Sequence, residues 1–220
     1  MKNPVHPLVQ RPFELTQTRV VDPIRILGFT GSLRKNSYNK LLLRAAATLL
    51  PESVQLEMFD IAGVPLYNQD VEERAIPEIV QRFKERIESA DAVLITTPEY
   101  NHSYPGVLKN AIDWASRPRG HNSFDGKPVA VMSAAPGMFG GVAAQDQLKQ
   151  VLLALNMHVV AQPAVIVSSA DRKFDLNNEL IDADAKQFMK RLLTNLVDLA
   201  RRLAQSEEPL QVSPLNVIAV

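Results

Sequence analysis

Apolar positions fall in short blocks along this chain, and their spacing switches between two periods. Ile24-Arg25-Ile26-Leu27-Gly28-Phe29, Ala92-Val93-Leu94-Ile95-Thr96-Thr97 and the run from Pro128 to Ala134 are compact and largely apolar at successive positions. Runs of this length, bounded by Gly, Ser and Pro, read as strands buried on both faces. Val54 to Phe59 alternates apolar with polar and reads as a further strand; His158-Val159-Val160 with Ala164 to Val167 supplies a fifth, interrupted at Pro163. Between them the period lengthens. Ile76, Ile79, Val80, Phe83 and Ile87 recur at steps of three and four, the spacing of one helix face. Tyr38 to Leu50, Gly106 to Ser116 and Gly141 to Leu155 also read as helices, and Phe188, Leu192, Leu196, Leu199 and Leu203 mark a long last one.

Five buried strands alternating with helices predict an α/β protein whose parallel sheet is covered on both sides. Right-handed crossovers make it doubly wound. No repeat or internal linker divides the chain, so one domain is expected over residues 23–205, with an N-terminal arm over 1–22 and a C-terminal tail over 206–220. The arm carries Pro4, Pro7 and Pro12 and lacks the apolar stretch of about 7–15 residues that a signal peptide needs.

Composition narrows the chemistry. Lys+Arg and Asp+Glu both total 24, so no basic excess points to nucleic acid, and the balance is unlike that of an acidic electron shuttle. There is no cysteine among the 220 residues, which removes disulfides, thiolate nucleophiles and Cys-ligated metal. Redox chemistry would therefore need an organic cofactor. No apolar run approaches the roughly 20 residues of a membrane helix; a cytoplasmic setting is expected.

In a doubly wound sheet, ligands sit beyond the carboxyl ends of the strands. Three loops qualify. Gly31-Ser32-Leu33-Arg34-Lys35-Asn36-Ser37-Tyr38-Asn39 sets hydroxyls and cations at a helix start, which suits a phosphate dianion; the alternative, capping by Asn36 or Ser37 alone, would not need Ser32 and Arg34 as well. Pro98-Glu99-Tyr100-Asn101-His102-Ser103-Tyr104-Pro105-Gly106 is long for such a loop and suits either a planar ligand or a packed turn with Tyr100 in the core. Ala134-Ala135-Pro136-Gly137-Met138-Phe139-Gly140-Gly141 admits close backbone approach or is a tight turn. The histidines show no metal spacing.

The first two motifs in order, followed by Pro105-Gly106-Val107-Leu108-Lys109-Asn110-Ala111-Ile112-Asp113-Trp114, resemble the NADPH-dependent FMN reductase family, flavodoxin-like quinone, chromate and azo-dye reductases. The resemblance implies a five-stranded sheet of order 2-1-3-4-5, bound FMN as cofactor, and NADPH or NADH as hydride donor. It implies that Ser32, Arg34, Ser37 and Asn39 hold the phosphate, with Gly31 and Tyr38 also among the cofactor-binding residues. It places Pro98, Glu99, Tyr100 and Asn101 along the isoalloxazine, mostly through backbone groups, with Ser133, Gly137 and Gly140 on the other side. The catalysis is flavin-borne, with no side chain named as catalytic. A quinone or similar small molecule is the implied acceptor, and a homodimer or homotetramer the implied assembly. An electron carrier of this fold, or a reductase supplying reduced flavin to a monooxygenase, stays open beside this reading. Arg117 and Arg119 are candidates for reading a 2′-phosphate.

Overall fold

A computed structural model of the protein describes residues 23–206; the expected arm, and the tail beyond residue 206, lie outside the described residues. The elements follow in the order β1 (Ile24–Thr30), α1 (Tyr38–Leu49), β2 (Val54–Phe59), α2 (Gln69–Arg74), α3 (Glu78–Ser89), β3 (Ala92–Thr97), α4 (Gly106–Ala115), β4 (Pro128–Ala134), α5 (Val142–Ala154), β5 (His158–Val167), α6 (Ala170–Lys173) and α7 (Ala183–Ser206). All neighbouring strands pair in parallel, in the order β2-β1-β3-β4-β5. This is the expected flavodoxin-like arrangement.

Side-chain alternation along the strands builds two apolar layers. Ile26, Leu94 and Met132 face α1 and α7, where they meet Leu42, Met189 and Leu196. Leu27, Phe29, Val93, Ile95 and Val131 face the other way, against Phe83, Leu108, Ile112 and Leu148 of α3, α4 and α5. Phe83 anchors the second layer, with Phe29 edge-on at 5.1 Å and Phe59 at 4.9 Å. Each such buried side chain contributes about 1.5–3 kcal/mol. β3 and β4 are buried throughout because they are central, whereas edge strand β2 is buried fully only at Val54.

Besides the four-residue α6, which the sequence reading did not anticipate, three features depart from it. β5 is one strand, but its register against β4 jumps from Ala130↔Val160 to Met132↔Val165, so the chain around Pro163 bulges out of the ladder. α2 has no buried residue, hence no apolar stripe to announce it. α7 starts at Ala183, five residues before the first apolar landmark, because Asp182 begins it: Asp182 Oδ1 accepts the Ala185 N–H at 2.7 Å. That hydrogen bond holds the Asp182 carboxyl below its ordinary value near 3.8, with Lys173 adding to the effect. A depressed carboxylate stabilises the fold above its ordinary value and loses that contribution as pH falls through the folded value. Asp182→Ala should therefore cost about 0.5–2 kcal/mol at pH 7 by urea denaturation. The gap between variant and parent should shrink below pH 3.8.

Candidate functional site

The β1–β3 boundary is where successive crossovers leave the sheet on opposite faces, so the loops after β1, β3 and β4 open a crevice there. The first loop leaves β1 tightly. Gly31 N–H donates to Thr96 O at 2.8 Å, and a Cβ on Gly31 would stand 3.0 Å from Leu108 and 3.2 Å from Thr97 Oγ1. Ser32 and Ser37 are buried, while Leu33 to Asn36 stand out, Arg34 among them. No carboxylate pairs with Arg34 among the described residues. Ser37 is the N-cap of α1, and its Oγ accepts from Asn39 N at 3.2 Å and Lys40 N at 3.4 Å. The capping reading is thus realised at Ser37. It leaves Ser32 and Arg34 without a structural task, and Thr30 Oγ1 is buried there with no partner.

Asn39 is committed elsewhere. Its Nδ2 donates to Ala134 O and its Oδ1 accepts from Ala134 N, both at 2.9 Å, while Thr96 Oγ1 donates to its carbonyl at 3.0 Å. The side chain is 2% exposed and ties α1 to the end of β4, 95 residues away. Tyr38, half-buried, packs on Phe174, ring centroids 5.7 Å apart.

In the second loop, Tyr100 N donates to Ser103 O at 2.8 Å and Ser103 N to Tyr100 O at 3.0 Å. The two residues between them, Asn101 (φ 51°) and His102 (φ 61°), are both left-handed, as a type I′ turn requires and as non-glycine residues rarely are. Tyr100 is half exposed, which rules out a core role; Tyr104 is the packed tyrosine, and burial pushes its phenol up. Glu99 reaches sideways. The N-cap of α5 is Gly141, which has no side chain to offer, and Glu99 Oε2 supplies the missing acceptor to Ala143 N (2.9 Å) and Ala144 N (3.2 Å). A carboxylate at that positive helix end is favoured twice, by hydrogen bonding and by the dipole. His102 Nδ1 lies 3.6 Å from Glu99 Oε1.

Packing dictates part of the third loop. A Cβ on Gly140 would strike Ile166 at 2.6 Å, and one on Gly141 would strike Ser133 at 2.8 Å; both residues are also left-handed. Ser133 is fully buried and accepts from Gln145 Nε2 at 2.8 Å, so its hydroxyl sits behind the loop. Gly137 differs. Its φ is ordinary and a Cβ there would meet nothing within 4 Å, so neither conformation nor packing calls for glycine. Met138 and Phe139 beside it are 78% and 66% exposed.

Of the residues expected at the site, Arg34, Tyr100, Asn101 and Gly137 face outward around the crevice. Gly31, Ser32, Ser37 and Pro98 are buried at its base. Asn39, Glu99, Ser133 and Gly140 join the loops to one another and to the sheet. The sequence reading missed Gln145 and Gln147, polar residues on a helix that carry no motif. Arg117 and Arg119 lie in the connection from α4 to the amino end of β4, across the sheet from the three loops, with Arg117 over the Tyr67 ring at 6.0 Å. Among the described residues there is no group of His, Cys, Asp and Glu placed to hold a metal, and no helix long and apolar enough to cross a membrane.

A flavodoxin-like sheet with a hydroxyl- and cation-bearing loop at the start of α1 defines a mononucleotide-binding α/β protein. The model of the NADPH-dependent FMN reductases matches residues 24–172, and the chain belongs to that family. It is 47% identical over 182 residues to an NAD(P)H-dependent FMN reductase of Pseudomonas aeruginosa, covering 83% of this chain and 98% of that one. It is likewise 47% identical over 152 residues to a quinone reductase of Pseudomonas putida, covering 69% and 82%. Among solved structures it resembles the flavoenzyme NAD(P)H:(acceptor) oxidoreductase FerB of Paracoccus denitrificans, with a TM-score of 0.76, 37% identity, and 81% and 98% of the two chains covered. The residues present fit FMN: exposed Arg34 in the loop before α1, the unpartnered Thr30 hydroxyl at the end of β1, and open space over Gly137.

The Asn39 geometry makes a stability prediction. Asn39→Leu keeps the size but leaves Ala134 N–H and C=O buried without partners, at roughly 1–3 kcal/mol for each group left bare. A loss of about 2–6 kcal/mol is expected in denaturant unfolding of the apoprotein. A loss under about 0.5 kcal/mol, the level of an ordinary surface change, would contradict this role.

Proposed function

We propose that this chain is an FMN-dependent NAD(P)H oxidoreductase acting on quinones or similar small acceptors, with FMN held in the crevice by the loop from Gly31 to Asn39. The observation that carries the reading is the first loop itself: two buried hydroxyls at the start of α1 with an unpaired guanidinium above them. The Ser32 and Ser37 hydroxyls and the loop amides not given to the Ser37 cap bind a phosphate dianion, and Arg34 adds charge-assisted hydrogen bonds. Glu99, Tyr100 and Asn101 line the ring through backbone groups, and Gly137 leaves room for it. Asn39, Ser133 and Gly140 serve the site by holding these loops in place.

Bound FMN takes hydride from NAD(P)H and passes electrons to the acceptor, chemistry that belongs to the cofactor. The protein binds, orients and shields, and no side chain is assigned a proton. Tyr100, Met138 and Phe139 give the crevice apolar rims suited to planar acceptors, consistent with the quinone reductase named among the relatives. A homodimer or homotetramer in the cytoplasm completes the reading; the neutral charge balance and lack of cysteine suit that compartment.

The test is anaerobic. The FMN-loaded protein should lose its visible flavin absorbance on adding NADPH or NADH and regain it on adding benzoquinone, over many cycles. A protein that stays oxidised under both nucleotides would be an electron carrier. Arg34→Ala should weaken FMN binding by about 1.5–3 kcal/mol and leave riboflavin binding unchanged, as read by fluorescence quenching. Equal losses for both ligands would remove Arg34 from the phosphate.

A further inference from the structure

The turn at Asn101–His102 is held in an unfavourable shape. His102 at φ 61° costs on the order of 1–2 kcal/mol and Asn101 at φ 51° less, because asparagine tolerates this region, and His102 keeps that shape only where its surroundings impose it. α5 imposes it. Gln147 Nε2 donates to His102 O at 2.7 Å, and Gln147 Oε1 accepts from Ser103 Oγ at 2.7 Å. Glu99, on the leg of the turn that leaves β3, is fixed to the amides of Ala143 and Ala144. Both legs are therefore gripped by one rigid helix. Gln147 itself is exposed, so it is not there to fill the core. The turn's own pairing uses Tyr100 and Ser103 and leaves the amides of Asn101 and His102 outside it.

We propose that Gln147 is a positioning residue that holds this turn so that its amides face the polar edge of the flavin and stabilise the charge gained on reduction. The inference rests on the flavin site argued above. Preorganised N–H donors aimed at developing charge act most strongly when they need no rearrangement. Releasing the turn lets the two residues relax, and the amides then stabilise reduced flavin less. Oxidised flavin, which carries no such charge, loses less.

The test compares Gln147→Leu with the parent. Ser103→Ala, which removes one of the two bonds, serves as the intermediate case. Because Gln147 is at the surface, urea midpoints should be nearly unchanged. Hydrogen exchange of the peptide spanning residues 99–104 in the apoprotein should quicken in Gln147→Leu, and less in Ser103→Ala. With FMN bound, reduced flavin should lose about tenfold more affinity than oxidised flavin. That is a midpoint roughly 30 mV more negative for a two-electron couple. A merely structural role would weaken both redox forms alike, so faster exchange with an unchanged midpoint overturns the proposal, as does unchanged exchange. A parent apoprotein that takes up no FMN would instead overturn the proposed function; the exchange measurement still reads the hold of Gln147 on the turn.

Discussion

The paired hydrogen bonds between Asn39 and the Ala134 peptide are the constraint on which the site depends. A parallel sheet orders its strands but leaves the loops beyond their ends free of the ladder. Asn39 extends order past that limit. Its carboxamide meets the last peptide of β4 as another strand would, and its own carbonyl takes the hydroxyl of Thr96 from β3. The start of α1, with Ser37 as cap, is thereby fixed relative to β3 and β4. Burial makes the arrangement decisive, because every polar atom in it would otherwise be stranded away from water.

The second and third loops are locked by the same means. Glu99 completes the uncapped start of α5, Gln147 holds the far side of the turn, and Gln145 ties Ser133 to Val165 at 2.7 Å. Gly140 and Gly141 let the third loop pass against Ile166 and Ser133 at distances no side chain tolerates. Strain at Asn101 and His102 is held in place by this network. The result is a crevice whose three walls are hydrogen-bonded to one another and to the sheet by the protein's own groups.

Much of this was legible in the sequence. β1, β3 and β4 announced themselves because central parallel strands are apolar on both faces, and α3 because its stripe of Val80, Phe83 and Ile87 is buried. α2 and the first turn of α7 escaped because polar helices show no stripe. The residues of the site were legible as types, but their tasks were not. Asn39 and Ser37 sit in one motif, yet Asn39 acts on a peptide 95 residues away while Ser37 caps its own helix. Glu99 reads as a loop acid until the bare cap at Gly141 is seen beside it. Arg117 and Arg119 look suited to a phosphate in sequence, and only the topology shows that they lie between α4 and the amino end of β4, at the opposite end of the strands from the three loops.

The central claim is that the loop from Gly31 to Asn39 is built for a phosphate dianion. Its most direct test is the affinity of the apoprotein for FMN against riboflavin, which differ only in that group. With several charge-assisted bonds, each worth about 1.5–3 kcal/mol, FMN should bind roughly 100-fold more tightly or better. Equal affinity for the two would mean that the loop caps a helix and does nothing more.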